Sequence, residues 1–367
     1  MKIVQLITRP QRRGAEIFAV QLAERLRILG HEVVLISLFQ GPGGLEFSGK
    51  WIKLDLVPTG KLDWKGFRQL AKILDQISPD LVQCNASDTL RYGALAKWFS
   101  RSPFKLIYRN ANQMSHFLDS TLKKWWNALL IRQVDGVASV SELSKVDFLK
   151  TFPFKRKIEV LPVGIDLEEL DSKSSQPLPI EISKPYFINL GGWVKEKNQQ
   201  DLLQIFGKLR QSIKHSPCLL LVGKGPEKSA LQELTQTLKI GDSVHFVPSQ
   251  SNPFSILKHA KALVLTPNAE GLPAVILEAM YLGIPVIAYD VGGISELIQT
   301  GKTGWLVPKG DQKGFHDALL ECLDMPDNEL RKITNSAKFL METRYELSGI
   351  AMAFENFYKK LIKDQSF

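Results

Sequence analysis

From one end of the chain to the other, short apolar runs rich in β-branched residues alternate with stretches in which apolar residues return every three to four positions. A strand buried on both faces followed by a one-sided helix gives this pattern, which is that of βαβ units and a parallel sheet. The fold class is therefore α/β. In the first half the predicted strands are Lys2 to Thr8, Glu32 to Ser37, Leu81 to Cys84, Lys105 to Tyr108, Gly136 to Val140 and Ile158 to Leu161. The first helix is predicted from about Ala15 to Leu29, after the loop Arg9 to Gly14. It stops at Gly30, a residue suited to the left-handed cap conformation.

A second strand series comprises Tyr186 to Leu190, Cys218 to Val222, Val244 to Val247, Ala262 to Thr266 and Pro285 to Ala288. The segment Asp166 to Lys184 separates the two series. It is polar, holds two prolines and two adjacent serines, and has no sustained period, so it reads as an interdomain linker. Two domains are expected, 1–165 and 166–343. A last helix, about Arg344 to Ile362, gathers Phe354, Phe357, Tyr358 and Leu361 on one face and is expected to pack back on the first domain.

With 367 residues, 44% hydrophobic and 23% charged, each domain can bury its own core, and disorder is excluded. Cys84, Cys218 and Cys322 lie far apart without CxxC spacing, which speaks against a zinc site or disulfide framework and for a reducing cytoplasm. Met1 to Thr8 is apolar but is followed at once by Arg9, Arg12 and Arg13, so it reads as a strand rather than a leader. No stretch is long enough to span a bilayer.

The net charge of +9 is unevenly placed, since residues 1–165 hold 25 Lys and Arg against 14 Asp and Glu. A basic first half suits anionic headgroups or a phosphate-bearing acceptor, and equally an ordinary solvated surface. Nucleic acid finds no supporting motif. Trp125-Trp126 beside Lys123-Lys124 fits either an interfacial membrane anchor or core packing of one tryptophan. His31, His215, His245, His259 and His316 show no ligand spacing, and His116 lies at a helix start, so no metal is assigned.

Chemistry concentrates in the second half. Gly191-Gly192, Gly223-Lys-Gly225, Gly271 and Gly292-Gly293 each fall between a predicted strand and a predicted helix. In a parallel sheet those strand ends share one edge, so the loops and the positive helix ends converge on a crevice suited to phosphate. Tight βα turns account for some of these glycines without any ligand. Pro226 and Pro273 stand where first-turn prolines belong. In Glu270-Gly-Leu-Pro-Ala-Val-Ile-Leu-Glu278, the second acid sits among apolar helical neighbours, and a buried carboxylate there calls for ligand hydroxyls or backbone donors to satisfy it. Glu270, in the loop, faces the same crevice or serves as a favourable charge at a helix start.

The pair Glu270 and Glu278 resembles the Glu-x7-Glu signature of family-4 retaining glycosyltransferases. Gly14-Ala15-Glu16, Ser139-Val140-Ser141-Glu142, Leu161-Pro-Val-Gly-Ile-Asp166, Gly223-Lys-Gly-Pro-Glu227, Pro285-Val-Ile-Ala288, Gly292-Gly293 and Gly301-Lys-Thr-Gly304 extend the resemblance over nearly the whole chain. It implies the GT-B fold, two facing Rossmann-like domains with the substrates in the interdomain cleft. It also implies that Glu278 bonds the ribose hydroxyls, Glu270 holds donor-sugar hydroxyls and Lys197 neutralises the diphosphate. Amides at Leu272 and around Pro273 would complete the cradle, with Gly14, Gly192, Gly223, Gly225 and Gly271 in the loops. The implied co-substrate is a nucleoside-diphosphate sugar, UDP by default, with neither cofactor nor metal, and the implied acceptor a glycan or lipid-linked glycan.

Two departures stand out. The family's diphosphate arginine is replaced by Gly192, leaving Lys195 or an arginine of the first domain (Arg12, Arg13 or Arg109) to supply the charge. A histidine of the first domain is replaced within Tyr108-Arg109-Asn110-Ala111-Asn112, where Arg109 and Asn110 are expected to contact acceptor or donor, or to be an ordinary polar loop. The missing arginine also admits a sugar-nucleotide-binding protein without turnover. An epimerase or phosphorylase relative would share the architecture but bring other catalytic residues.

Overall fold

The computed structural model describes residues 1–57, 62–179, 181, 185–213 and 217–363, so His215 and part of the expected linker lie outside the described residues. The chain divides into two compact units, Met1–Gly164 with Leu347–Phe367, and Ile165–Glu346. Each is an all-parallel sheet flanked by helices, which confirms the α/β class with two Rossmann-like units.

The first unit is built from β1 (Lys2–Ile7), α1 (Gly14–Ile28), β2 (Glu32–Phe39), β3 (Lys50–Leu56), α2 (Trp64–Ile77), β4 (Leu81–Cys84), α3 (Ser87–Phe99) and β5 (Lys105–Asn110). A 3-10 turn (Met114–Phe117), α4 (Thr121–Ile131), β6 (Gly136–Ser139), α5 (Glu142–Thr151) and β7 (Lys157–Val160) complete its first pass. The sheet order is β3-β2-β1-β4-β5-β6-β7. The reading of the sequence missed β3, an edge strand in which Leu54 alone is fully buried and lysine and aspartate interrupt the apolar positions.

The second unit runs α6 (Leu167–Ser174), β8 (Tyr186–Leu190), a 3-10 turn (Lys195–Lys197), α7 (Gln199–Ser212), β9 (Cys218–Gly223), α8 (Lys228–Thr237), β10 (Val244–Pro248), α9 (Phe254–Lys258), β11 (Ala262–Leu265) and α10 (Ala274–Tyr281). It continues through β12 (Val286–Asp290), a 3-10 turn (Gly292–Glu296), β13 (Trp305–Pro308), α11 (Gln312–Asp324) and α12 (Asp327–Arg344). Its sheet order is β10-β9-β8-β11-β12-β13. The four-residue edge strand β13 was also missed.

Part of the segment read as a linker, Leu167–Ser174, is the helix α6. Asp166 caps α6 by accepting from the Glu169 amide, with Glu168 and Glu169 in the first turn and Lys173 in the last, the charge order a helix dipole favours. Asn252 Nδ2 donates to the Lys173 carbonyl at 2.8 Å and the Tyr281 hydroxyl to Asp171 Oδ2 at 2.8 Å, fixing α6 on the second unit. Helix α13 (Leu347–Lys363) belongs to the first unit. There Phe354, Phe357, Tyr358 and Leu361 are buried, Phe354 lies 5.9 Å from Phe18 of α1, and the Tyr358 hydroxyl donates to Gln83 Oε1 at 2.6 Å.

All three cysteines are free and buried. Among the described residues no helix is long and apolar enough to cross a membrane.

Candidate functional site

The carboxyl ends of β8, β9, β11 and β12 lie on one edge of the second sheet, and each of the four glycine loops leaves from one of them. Three of these glycines let backbone approach backbone. A Cβ on Gly223 would stand 1.9 Å from the Gly191 carbonyl oxygen, one on Gly225 2.1 Å from that of Trp193, and one on Gly292 1.9 Å from that of Glu270. Hydrogen bonds join the same loops, Trp193 N to the Lys224 carbonyl at 3.0 Å and Gly293 N to the Gly271 carbonyl at 2.7 Å. The loops thus form one interlocked rim in which Gly223, Gly225 and Gly292 are needed for assembly.

Within that rim Lys197 Nζ and a Glu270 carboxylate oxygen form an ion pair, both half-buried. The pairing is imposed by the backbone. Asn198 takes a left-handed conformation (φ 48°), which asparagine tolerates, and so turns the chain from the Lys195–Lys197 turn into α7. Its carbonyl accepts from Thr266 Oγ1 at 2.9 Å, while Asn268 N donates to the Glu196 carbonyl at 2.7 Å and Asn268 Nδ2 to that of Lys195 at 3.1 Å. The loop after β8 is thereby latched to the loop after β11. Beneath the pair, Asn189 Nδ2 donates to the Val264 carbonyl at 2.7 Å, and Gln199 Nε2 to that of Gly192 at 3.0 Å. Asn189, Gln199, Thr266 and Asn268 escaped the sequence reading, because single polar residues in or beside these loops carry no spacing of their own. A small recess opens there, lined by Asn189, Thr266, Pro267 and Ile294 together with Lys197 and Glu270.

Leu272 and Pro273 are buried at the start of α10. Pro273 is its N-cap and Pro226 lies two residues before α8, each just outside the helix rather than in its first turn. No side chain caps the first turn of α10, so its amides and dipole face the rim. Glu278 corrects the expectation of a buried carboxylate. It is half-buried on α10, while Ile276, Leu277, Ala279 and Met280 take the core face. Lys195 is exposed at the start of the same turn that carries Lys197.

Gly14, Arg109 and Asn110 belong to the first unit and are not part of this rim. Gly14 opens α1 with nothing within 4 Å of where its Cβ would be. Asn110 is not in a loop. It ends β5, is buried, and donates from Nδ2 to the Ser144 carbonyl at 3.0 Å. Arg109, on the same strand, is 2% exposed, lies 4.3 Å from the Phe18 ring centroid, and has no hydrogen-bond partner at Nε or Nη1. Burial pulls its pKa down to about 10, which still leaves it charged at neutral pH. Burial also raises the pKa of the nearby Glu16 carboxyl, which accepts from Gln11 Nε2 at 3.0 Å. Because a buried cation with unmet donors is destabilising, Arg109→Met should leave the denaturant midpoint unchanged or raise it. Equilibrium unfolding checks this; a loss above about 2 kcal/mol would show that the guanidinium is a structural partner after all.

Two sequence-family profiles match the chain almost end to end, Glycosyltransferase Family 4 over residues 12–169 and Glycosyl transferases group 1 over 171–339. The chain belongs to glycosyltransferase family 4. Among curated members, the N-acetyl-alpha-D-glucosaminyl L-malate synthase of Bacillus anthracis is 33% identical over 186 residues, 50% of this chain and 48% of that enzyme. This chain therefore aligns with about half of that relative's length. A Bacillus subtilis protein provisionally named the teichuronic acid biosynthesis glycosyltransferase TuaC is 29% identical over 328 residues, 83% of this chain and 78% of its own. The structure of Anabaena Alr3699/HepE in complex with UDP and glucose superposes with a TM-score of 0.82 at 18% identity, over 98% of this chain and all of that one. At that identity the likeness is one of fold. For this family-4 member, the rim at the second sheet is where Glu270, Lys197, Gly192, Gly223, Gly225 and Gly271 come together, with Glu278 on the helix that leaves it.

Proposed function

We propose that this family-4 protein transfers a sugar from a nucleoside-diphosphate sugar, UDP-linked by default, to a hydroxyl of a glycan or lipid-linked glycan, with retained anomeric configuration. The observation that carries the reading is the Lys197–Glu270 pair set in a rim of interlocked glycine loops beside an uncapped helix start. In the reaction the bond between the sugar C1 and the β-phosphate oxygen breaks as the acceptor oxygen bonds to C1 on the same face. The acceptor's proton passes to the departing phosphate oxygen, and no metal ion is invoked. Negative charge builds on the diphosphate, where Lys197, Lys195 and the α10 amides would meet it. Glu270, released from Lys197, would accept hydrogen bonds from sugar hydroxyls. Glu278 would accept from the ribose, a task that suits its half-exposed place on α10.

The names of the relatives support a donor of this kind: HepE was crystallised with UDP and glucose, and a Mycobacterium tuberculosis relative, 28% identical over about half of each chain, is named as GDP-mannose-dependent. A lipid-linked acceptor would bring the protein to the cytoplasmic face of a membrane. Gly192, where the family has an arginine, is the feature that favours a binding protein without turnover.

Glu278→Ala is expected to raise the KM for the donor roughly 10–100-fold, the net worth of one charged hydrogen bond, with a smaller change in kcat. The parent should discriminate against a donor lacking the ribose hydroxyls and the variant should not. Equal discrimination in both would remove Glu278 from the ribose site.

A further inference from the structure

At the carboxyl end of β13 a lysine reaches across to the loop that carries Glu270. Lys309 Nζ donates to the Asn268 carbonyl at 2.9 Å, two residues before Glu270. Its own backbone is fixed on both sides. Pro308 ends β13 and its carbonyl accepts from the Asp311 amide at 3.0 Å, Gly310 takes the left-handed conformation (φ 83°), and Asp311 caps α11 by accepting from the Gly314 amide at 2.8 Å. The lysine therefore leaves from a closed turn rather than from a free loop.

Three loops meet at Asn268. Its amide and its side chain hold the loop after β8, through the carbonyls of Glu196 and Lys195, while its own carbonyl takes the ammonium from the loop after β13. That carbonyl lies three residues beyond the end of β11, where no strand ladder serves it, and a charged donor makes the stronger bond. Among the described residues Lys309 forms no ion pair, so its charge is directed at this carbonyl. On an exposed side chain the bond adds little to overall stability. What it fixes is place. The segments Lys195–Lys197 and Asn268–Glu270 are joined through Asn268 and carry the two members of the Lys197–Glu270 pair, so a shift of Asn268 moves one against the other. A displacement of about 1 Å at such a group can cost about 100-fold in rate.

We propose that Lys309 is a positioning residue for sugar transfer, holding the Glu270 loop, through Asn268, in register with the turn that carries Lys197. This role rests on the donor site proposed above, so one arm of its test needs no donor. In that arm, amide hydrogen exchange of the full chain is followed by mass spectrometry on peptides covering residues 266–272. Lys309→Met keeps the aliphatic stem without the donor group and should speed exchange there about fivefold, with first-unit peptides and thermal unfolding as in the parent. Lys309→Arg should restore the protection. In the second arm, steady-state transfer kinetics, Lys309→Met should lower kcat about 10-fold with the donor KM within about twofold, and Lys309→Arg should recover most of the rate. In a Lys197→Ala background the same substitution should change little, because the pair it positions is gone. Unchanged exchange in Lys309→Met, faster exchange with unchanged kcat, or a loss that multiplies with that of Lys197→Ala and raises the donor KM would each overturn the proposal, the last by making Lys309 a direct contact of the donor. A parent that turns over no donor would count against the transfer reading instead, and the exchange arm would then decide whether Lys309 holds the loop.

Discussion

Replacing Lys197 with alanine is expected to lower kcat for sugar transfer by about 10²–10³-fold with a smaller effect on donor affinity, as removal of one preorganised charge from a departing group does elsewhere. The ammonium lies against Glu270, held there by the Asn198 turn and its bond from Thr266. On the proposed function an incoming diphosphate would displace that partner, and each member of the pair would be handed to a different part of the donor. Glu270→Gln should therefore lose activity too, and the double variant should lose much less than the product of the two single losses, because each residue's placement depends on the other. Steady-state kinetics of the three variants check this. Full additivity would mean that the two side chains act independently.

The second large effect is on folding. Gly292 has φ 59°, and a Cβ there would fall 1.9 Å from the Glu270 carbonyl oxygen and 3.2 Å from that of Gly271. Gly292→Ala should cost roughly 3 kcal/mol or more in equilibrium unfolding, the left-handed strain plus forced displacement of the loop that carries Glu270. Gly301→Ala is the control. Gly301 is equally left-handed (φ 74°) but has open space around its Cβ position, so about 1 kcal/mol is expected. Equal losses in the two would show that strain alone, not the interlocking of the loops, makes Gly292 necessary.

How far the sequence disclosed this can be judged residue by residue. Central strands such as Lys2–Ile7 and Cys218–Gly223 were legible because burial on both faces makes a nearly continuous apolar run, interrupted within the first only by Gln5. Edge strand β3 was not, since a half-solvated strand mixes polar residues into the pattern, and β13 was missed because it is only four residues long and ends at Pro308. The glycines were visible, but their use was only partly so. The spacing pointed to phosphate, while the structure adds the backbone contacts that would keep Gly223, Gly225 and Gly292 as glycines even without a ligand. Gly301 and Gly304 likewise belong to a turn closed by Thr303, whose hydroxyl donates to the Leu297 carbonyl at 2.9 Å and accepts from the Gln299 amide at 2.9 Å. Polarity misled in two places. The sequence around Asp166 looked like a linker because a short capped helix is itself polar, and Arg109 looked like loop surface although Phe18 covers it. Glu278 misled in the opposite sense, since apolar neighbours in sequence lie on the other face of the helix.

The central claim is that the rim of the second sheet binds and activates a nucleoside-diphosphate sugar. The most direct measurement is thermal stabilisation and slow hydrolysis of UDP-, GDP- and ADP-sugars by the full chain, with Lys197→Ala and Glu278→Ala beside it. One donor should stabilise the parent and be hydrolysed, with hydrolysis lost in the first variant and stabilisation reduced in the second. Absence of stabilisation by every donor, or hydrolysis indifferent to both substitutions, would contradict the account.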